Sequence, residues 1–340
     1  MIAVGVDTHK DSHFAVALDP LGQVFGELVV AAGAAGHREL ERWAAELVAE
    51  GQELVFGIEG TGSYGAGLCE YLQSAGCSVV EVERPRRRDR RAGKSDRIDA
   101  LAAAKKVLSG EGLSTPRAGG ARAALAALLL AHHSCTSERT RLLNQLQALR
   151  VTAPVALRER IGEGGGRQLE RRLAKMRSRK DAGVAERTAF AVMRDLAAHS
   201  RSLAVDAARY EQELAELIRR LSPTLLDEVG IGPISAAKLL VCDPGRFKSQ
   251  AAFARCNGTA PIPASSGKTV RHRLNRGGDR QVNNAIHTIA LSRSMHHPET
   301  RAYLDRRIGE GKTKREAMRA LKRHLSRSLF NRLVEVPLTS

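Results

Sequence analysis

Ile2-Ala3-Val4-Gly5-Val6-Asp7-Thr8-His9-Lys10 opens the chain with a short apolar run that stops on a carboxylate. A run of this length and composition reads as a buried strand, which delivers Asp7 at its end. Working outward, Phe14 to Leu18 and Val24 to Val30 read as two more strands, joined by the turn Asp19-Pro20-Leu21-Gly22. Leu40, Trp43, Leu47 and Val48 recur at helical spacing. Leu54 to Ile58 is a second buried strand, and it places Glu59 at its end just as the first places Asp7. Ala66 to Ala75 reads as a helix stopped by Gly76, and Ser78 to Val82 as a further strand.

A hairpin meander followed by α/β alternation is the order of a ribonuclease H-like fold, although many α/β domains share parts of it. The fold class expected is thus α/β at the amino end and α beyond it. Residues 117–222 are almost entirely helix-forming, with breaks near Pro154 and at Gly164-Gly165-Gly166. Leu203, Tyr210, Leu214, Leu217 and Leu221 form one apolar stripe there, which suits a coiled coil or a core-facing helix equally. A third region begins at Ser222-Pro223 and ends in a basic helical stretch. The expected domains are 1–150 (nuclease-like, with a trailing helix), 151–222 (a helical coiled-coil spacer) and 223–340 (mainly α).

Charge narrows the partners. The 340 residues carry a net charge of +17, yet residues 1–80 hold eleven Asp/Glu against three Lys/Arg, a net of −8. The remainder therefore carries +25, as expected of a protein that neutralises phosphates. Arg84 to Lys94 holds seven basic residues in eleven, which reads as a loop. Aromatics make up 4%, too few for base stacking to be the main binding mode. The five cysteines form no CxxC pair, which argues against structural zinc and suits a reduced cytosol. No apolar run reaches membrane-spanning length, so a cytoplasmic protein with no membrane partner is expected, nucleoid-associated when acting if the phosphates it neutralises are those of DNA.

Against that basic background, four acids sit in short motifs: Asp7, Glu59 in Glu59-Gly60-Thr61-Gly62-Ser63-Tyr64, and Asp96 and Asp99 in Lys94-Ser95-Asp96-Arg97-Ile98-Asp99-Ala100. Positions 96 and 99 project from one face of a helix. Strand-end acids and a helical acid pair can converge at one sheet edge. Their mutual repulsion is then relieved by hard cations, Mg²⁺ or Mn²⁺, and two ions are expected. All four are candidate metal ligands and catalytic residues. Lys10, Arg84, Arg86, Arg87, Arg88 and Lys94 are candidate phosphate contacts. Val229-Gly230-Ile231-Gly232-Pro233 before a helix looks like a helix-hairpin-helix element, with Gly230 and Gly232 exposing amides to phosphate.

Together the three acidic motifs resemble the insertion-sequence 110 transposases, the group that includes the Piv DNA invertases. Gln250 to Ala254, Thr259-Ala260-Pro261, Ser265-Ser266-Gly267-Lys268, Gly277-Gly278-Asp279 and Asn283-Asn284-Ala285 resemble that family's second block. The resemblance implies a RuvC-like DEDD nuclease domain, a helical spacer and a transposase domain whose serine works with the acids. It makes Ser266 the nucleophile candidate, with Ser265 its rival, and places Lys268 and Arg271 among the nucleic-acid contacts. It further implies donor and target DNA, a structured non-coding bridge RNA, and a homodimer or homotetramer. The competing readings are a metal-dependent Holliday-junction-type endonuclease that uses the acids alone, an actin-like ATPase or sugar kinase, and a non-catalytic nucleic-acid-binding protein.

Overall fold

A computed structural model describes residues 1–83, 95–117, 119–264, 272–336 and 338. The amino-terminal run forms strand β1 (Ile2–Thr8), followed by β2 (Ser12–Leu18) and β3 (Val24–Ala31). Helix α1 (Ala34–Glu46), β4 (Leu54–Glu59), α2 (Ala66–Ser74), β5 (Ser78–Val82), α3 (Asp96–Ser109) and β6 (Leu113–Ser114) complete the alternation. The sheet order is β3-β2-β1-β4-β5-β6. Strands β1 to β3 pair antiparallel, whereas β4 runs parallel to β1 and β5 parallel to β4. This is a mixed sheet, and the edge strand β6 is too short to leave a sequence signal.

Residue alternation assigns the two faces of the sheet. Val4, Val6, Phe56 and Ile58 are fully buried on the face covered by α1 and α2, together with Leu40, Leu68 and Leu72. The opposite face carries Ala3 and Val55 against Ala103 and Val107 of α3, while Ala100 and Ala104 meet Val16 and Leu18. Gly5 and Gly57 are cross-strand partners on this second face. A Cβ at Gly5 would lie 2.1 Å from the Ala100 carbonyl oxygen, and one at Gly57 would lie 2.4 Å from Val107 Cγ2. Two side-by-side glycines thus form a trough into which the alanine face of α3 settles.

Beyond α3 the chain is mostly helical: α4 (Gly120–Thr152), α5 (Val155–Ile161), α6 (Gly166–Lys175), α7 (Val184–Leu221), α8 (Pro233–Cys242) and α9 (Gln250–Cys256). A two-residue pair, β7 (Ile262–Pro263) and β8 (His272–Arg273), precedes α10 (Arg280–His296), α11 (Pro298–Gly309) and α12 (Lys314–Leu333). The expected breaks at Pro154 and Gly164 are present. The one at 176–183 carries only a terminal glycine and was not foreseen. In α7, Leu214 of the apolar stripe is completely buried, as is Ile218 one turn later, so part of the stripe is already used internally. The earlier turns of α7 pack Phe190, Met193 and Ala197 against Leu146, Leu157 and Leu169 of α4 to α6.

Two compact units result: 1–124 with 240–255 and 326–340, and 125–239 with 256–325. In the first unit, Glu81 on β5 is only 3% exposed and anchors the later segment. It accepts from Arg117 Nε at 2.8 Å and from Arg246 Nη2 at 2.9 Å, while Arg246 Nε donates to the Thr115 carbonyl at 3.0 Å. Glu81→Gln leaves these guanidiniums uncompensated. Breaking a fully buried pair costs about 3–5 kcal/mol. The Arg117 side chain is 39% exposed and partly screened, so about 2 kcal/mol is expected, measured as a lower chemical-denaturation midpoint.

Candidate active site

Asp7 lies at the carboxyl end of β1, on the same face as Gly5 two residues earlier, and is 9% exposed. Glu59 closes the parallel neighbour β4 and shares the face of Gly57, again two residues earlier. Its main-chain carbonyl accepts from Thr8 Oγ1 at 3.0 Å, which holds the two strand ends together. Both faces point to α3, whose first turn carries Asp96 and Asp99. Ser95 caps this helix by accepting from the Ile98 amide at 3.3 Å. Acids in the first turn are also favoured by the helix dipole, so the motif Ser95-Asp96-Arg97-Ile98-Asp99 starts the helix as well as supplying carboxylates.

His9 joins this group. Its Nε2 lies 3.0 Å from Asp7 Oδ2 and 3.3 Å from Asp96 Oδ1, and the three side chains each offer a ligand atom within 4.8 Å of one another. Sequence reasoning passed over His9, although its position two residues after Asp7 on an extended chain was a usable signal. Burial pushes the Asp7 carboxyl above its ordinary range; His9 opposes this, and the nearby charges of Asp99 and Asp96 add to it. Asp99 is therefore electrostatically coupled to Asp7. Oxygen donors crowded in this way fit a hard divalent cation, which would relieve both the desolvation and the repulsion.

The second motif has a structural share. Gly60 turns the chain at φ 71°, a conformation that favours glycine, and Ser63 returns its amide to the Gly60 carbonyl at 2.8 Å. Thr61 is buried, with Oγ1 accepting from the Arg117 amide at 2.8 Å. Lys10 is exposed just beyond β1. Gly230 packs against α10, where a Cβ would approach the Ile289 carbonyl to 3.1 Å, whereas the Cβ position of Gly232 faces open space ahead of α8. Arg84, Arg86, Arg87, Arg88, Lys94, Ser265, Ser266, Lys268 and Arg271 lie outside the described residues.

Comparison with known proteins agrees with the geometry. Residues 4–152, which contain all four acids, match the IS110 DEDD family model, described as a transposase. Residues 223–305 match the model described as the transposase IS116/IS110/IS902 family. The chain belongs to the IS110 transposase family. An IS110 insertion-element protein of 43.6 kDa from Streptomyces coelicolor, itself uncharacterized, is 36% identical over 113 residues. That alignment covers 32% of this chain and 28% of the relative. The first match falls on the segment that carries the acids and the second on the later helices. Among the described residues no helix is long and apolar enough to cross a membrane.

Proposed function

We propose that this chain is a DNA recombinase of a mobile insertion element, cleaving and rejoining strands with Asp7, Glu59, Asp96 and Asp99 as an acidic metal site and Ser266 as nucleophile. The observation that carries the reading is the gathering of Asp7, His9 and Asp96 within 4.8 Å at the strand end. The electrostatic coupling of Asp99 to Asp7 and the position of Glu59 on the adjoining parallel strand extend it. The order β3-β2-β1-β4-β5, antiparallel and then parallel, supports a ribonuclease H-like assignment for this unit. A pair of Mg²⁺ or Mn²⁺ ions bound by these carboxylates would withdraw charge from a phosphate oxygen and ease deprotonation of the attacking hydroxyl.

In this reading the chain's own groups have distinct tasks. Asp7 is held at the strand end by His9, and α3 presents Asp96 and Asp99 from a capped and therefore well-ordered turn. The Ser266 oxygen forms a bond to phosphorus as the bridging P–O bond of the strand breaks. The serine proton leaves to a base at the site, and the departing strand oxygen takes up a proton. The serine–phosphate linkage keeps the phosphodiester energy, so rejoining by the reverse steps needs no ATP. Amides ahead of α8, in the stretch from Gly230 to Gly232, are suited to duplex phosphates in a helix-hairpin-helix manner. Sequence selection falls to base pairing with a bridge RNA, and the working enzyme is a dimer or tetramer that pairs donor and target DNA.

A second reading shares the same acids. The acidic cluster is complete without Ser266, which equally supports a junction endonuclease that hydrolyses with water. Product analysis separates the two: a recombinase yields joined strands, a nuclease only free ends. Ser266→Ala is expected to abolish strand joining and the covalent protein–DNA adduct detected on a denaturing gel. Unchanged product formation by that variant would move the assignment to the nuclease.

A further inference from the structure

The second unit contains a basic pocket that the acidic site does not use. It has a volume of about 590 Å³ and lies between the β7–β8 pair and the ends of α11 and α12. Six Lys or Arg residues line it, against two carboxylates, Glu310 and Glu316. Both carboxylates are already engaged. Glu310 pairs with Arg307, and Glu316 accepts from the Thr313 amide at 2.9 Å and its hydroxyl at 2.8 Å, as a helix-start cap.

The cations are left short of negative charge. Arg319 donates to the main-chain carbonyl of His272 at 3.3 Å, and Lys322 donates to the Asn283 amide oxygen at 2.7 Å. Arg307 Nε and Arg323 Nη1 are buried without a hydrogen-bond partner among the described residues. Burial pulls the Lys322 ammonium below its ordinary range. Like charges gathered around a concavity, with donors left unmade, cost free energy that a bound anion returns. Thr259, Pro261 and Leu274 add neutral and apolar wall, so the pocket is larger and less uniformly polar than a lone inorganic ion needs.

We propose that this pocket holds a phosphodiester group of a bound nucleic-acid strand, with Arg319 and Arg323 as its principal contacts. The proposal rests on the recombinase reading only in that the partner is a nucleic acid. It concerns binding in the second unit and not the chemistry of the acidic one.

The test uses the full chain carrying Asp99→Asn, so that strands remain uncut. Binding of a single-stranded DNA and of an RNA oligonucleotide is measured by fluorescence anisotropy across a salt series, with and without Arg319→Met/Arg323→Met. Each lost phosphate contact lowers the slope of log K against log salt by about 0.7 on a single strand. The double variant releases one phosphate and is therefore expected to lose about 0.7 in slope and to bind about tenfold more weakly. A loss confined to DNA, or to RNA, supports the pocket and names its strand. Unchanged slopes overturn it, as does a calorimetric response to inorganic phosphate alone with strand binding untouched. Removing uncompensated cations should leave the melting temperature equal or higher. If it falls, Lys312→Ala at the rim is measured in the same way, and one contact's worth of slope must disappear for the proposal to stand. Failure of the parent to bind either strand sinks the recombinase reading instead.

Discussion

Gly5→Ala is expected to cost about 4 kcal/mol of stability and to abolish the proposed strand cleavage, although it touches no carboxylate. The new Cβ would lie 2.1 Å from the Ala100 carbonyl oxygen and 2.2 Å from the Ala104 amide nitrogen. Both are main-chain atoms of α3, so no side-chain rotation relieves the overlap. Overpacking costs about 1–3 kcal/mol where side chains can yield, and more where a helix must move as a body. Lifting α3 opens two apolar clusters at once, that of Val16 and Leu18 and that of Ala3 and Val55. It also carries Asp96 and Asp99 away from Asp7, and a misplacement of about 1 Å costs roughly 100-fold in rate. Thermal melting should fall by roughly 8–16 °C for a unit of this size. A variant that melts and cleaves like the parent would show that the glycine trough does not set the site.

Asp7→Asn is expected to act in the opposite direction on stability while removing activity. Cleavage should fall by at least about 10³-fold, equivalent to roughly 4 kcal/mol of transition-state stabilisation. Stability should be unchanged or higher, because burial and the nearby charges of Asp99 and Asp96 disfavour the ionised Asp7 carboxyl. The folded protein binds the Asp7 proton more tightly than the unfolded chain does. Ionisation therefore erodes stability as pH rises from the unfolded value near 3.8 through the raised folded one, and the full penalty holds above it. Asparagine escapes that penalty and can still hydrogen-bond His9. The melting curves of parent and variant should converge toward acid pH and separate above it. Divalent cation should raise the melting temperature of the parent more than that of the variant. Retained cleavage, or a metal-induced shift equal in both proteins, would remove Asp7 from the proposed ligand set.

The contrast between these variants shows which parts of the site were readable. The acids themselves were visible because each ends an apolar run or begins a helix, and because a −8 segment in a +17 chain makes clustered carboxylates conspicuous. Strands β1 to β5 were visible because Ile2, Val4 and Val6, and likewise Val55 to Ile58, cannot be left in water. His9 was within reach of the same two-residue periodicity. By contrast, β6, β7 and β8 have two residues each, too few to show a period. The reach of Arg246 to Glu81, across 165 positions, has no local trace at all.

What the amino-acid order determined by itself is local: which runs are buried strands, where Ser95 starts a helix, and that Asp7, Glu59, Asp96 and Asp99 each stand at an element's end. Pleat and helical pitch carry such information over a few residues, and hydrophobic burial enforces it. Tertiary packing decided the rest. Facing glycines let α3 approach the sheet within main-chain distance, so the acids of a distant helix are brought against a strand end. The burial of Glu81 made segment 240–255 part of the unit that begins at Met1. Those outcomes depend on close contact between residues far apart in the chain, and close contact is settled only when the whole core packs.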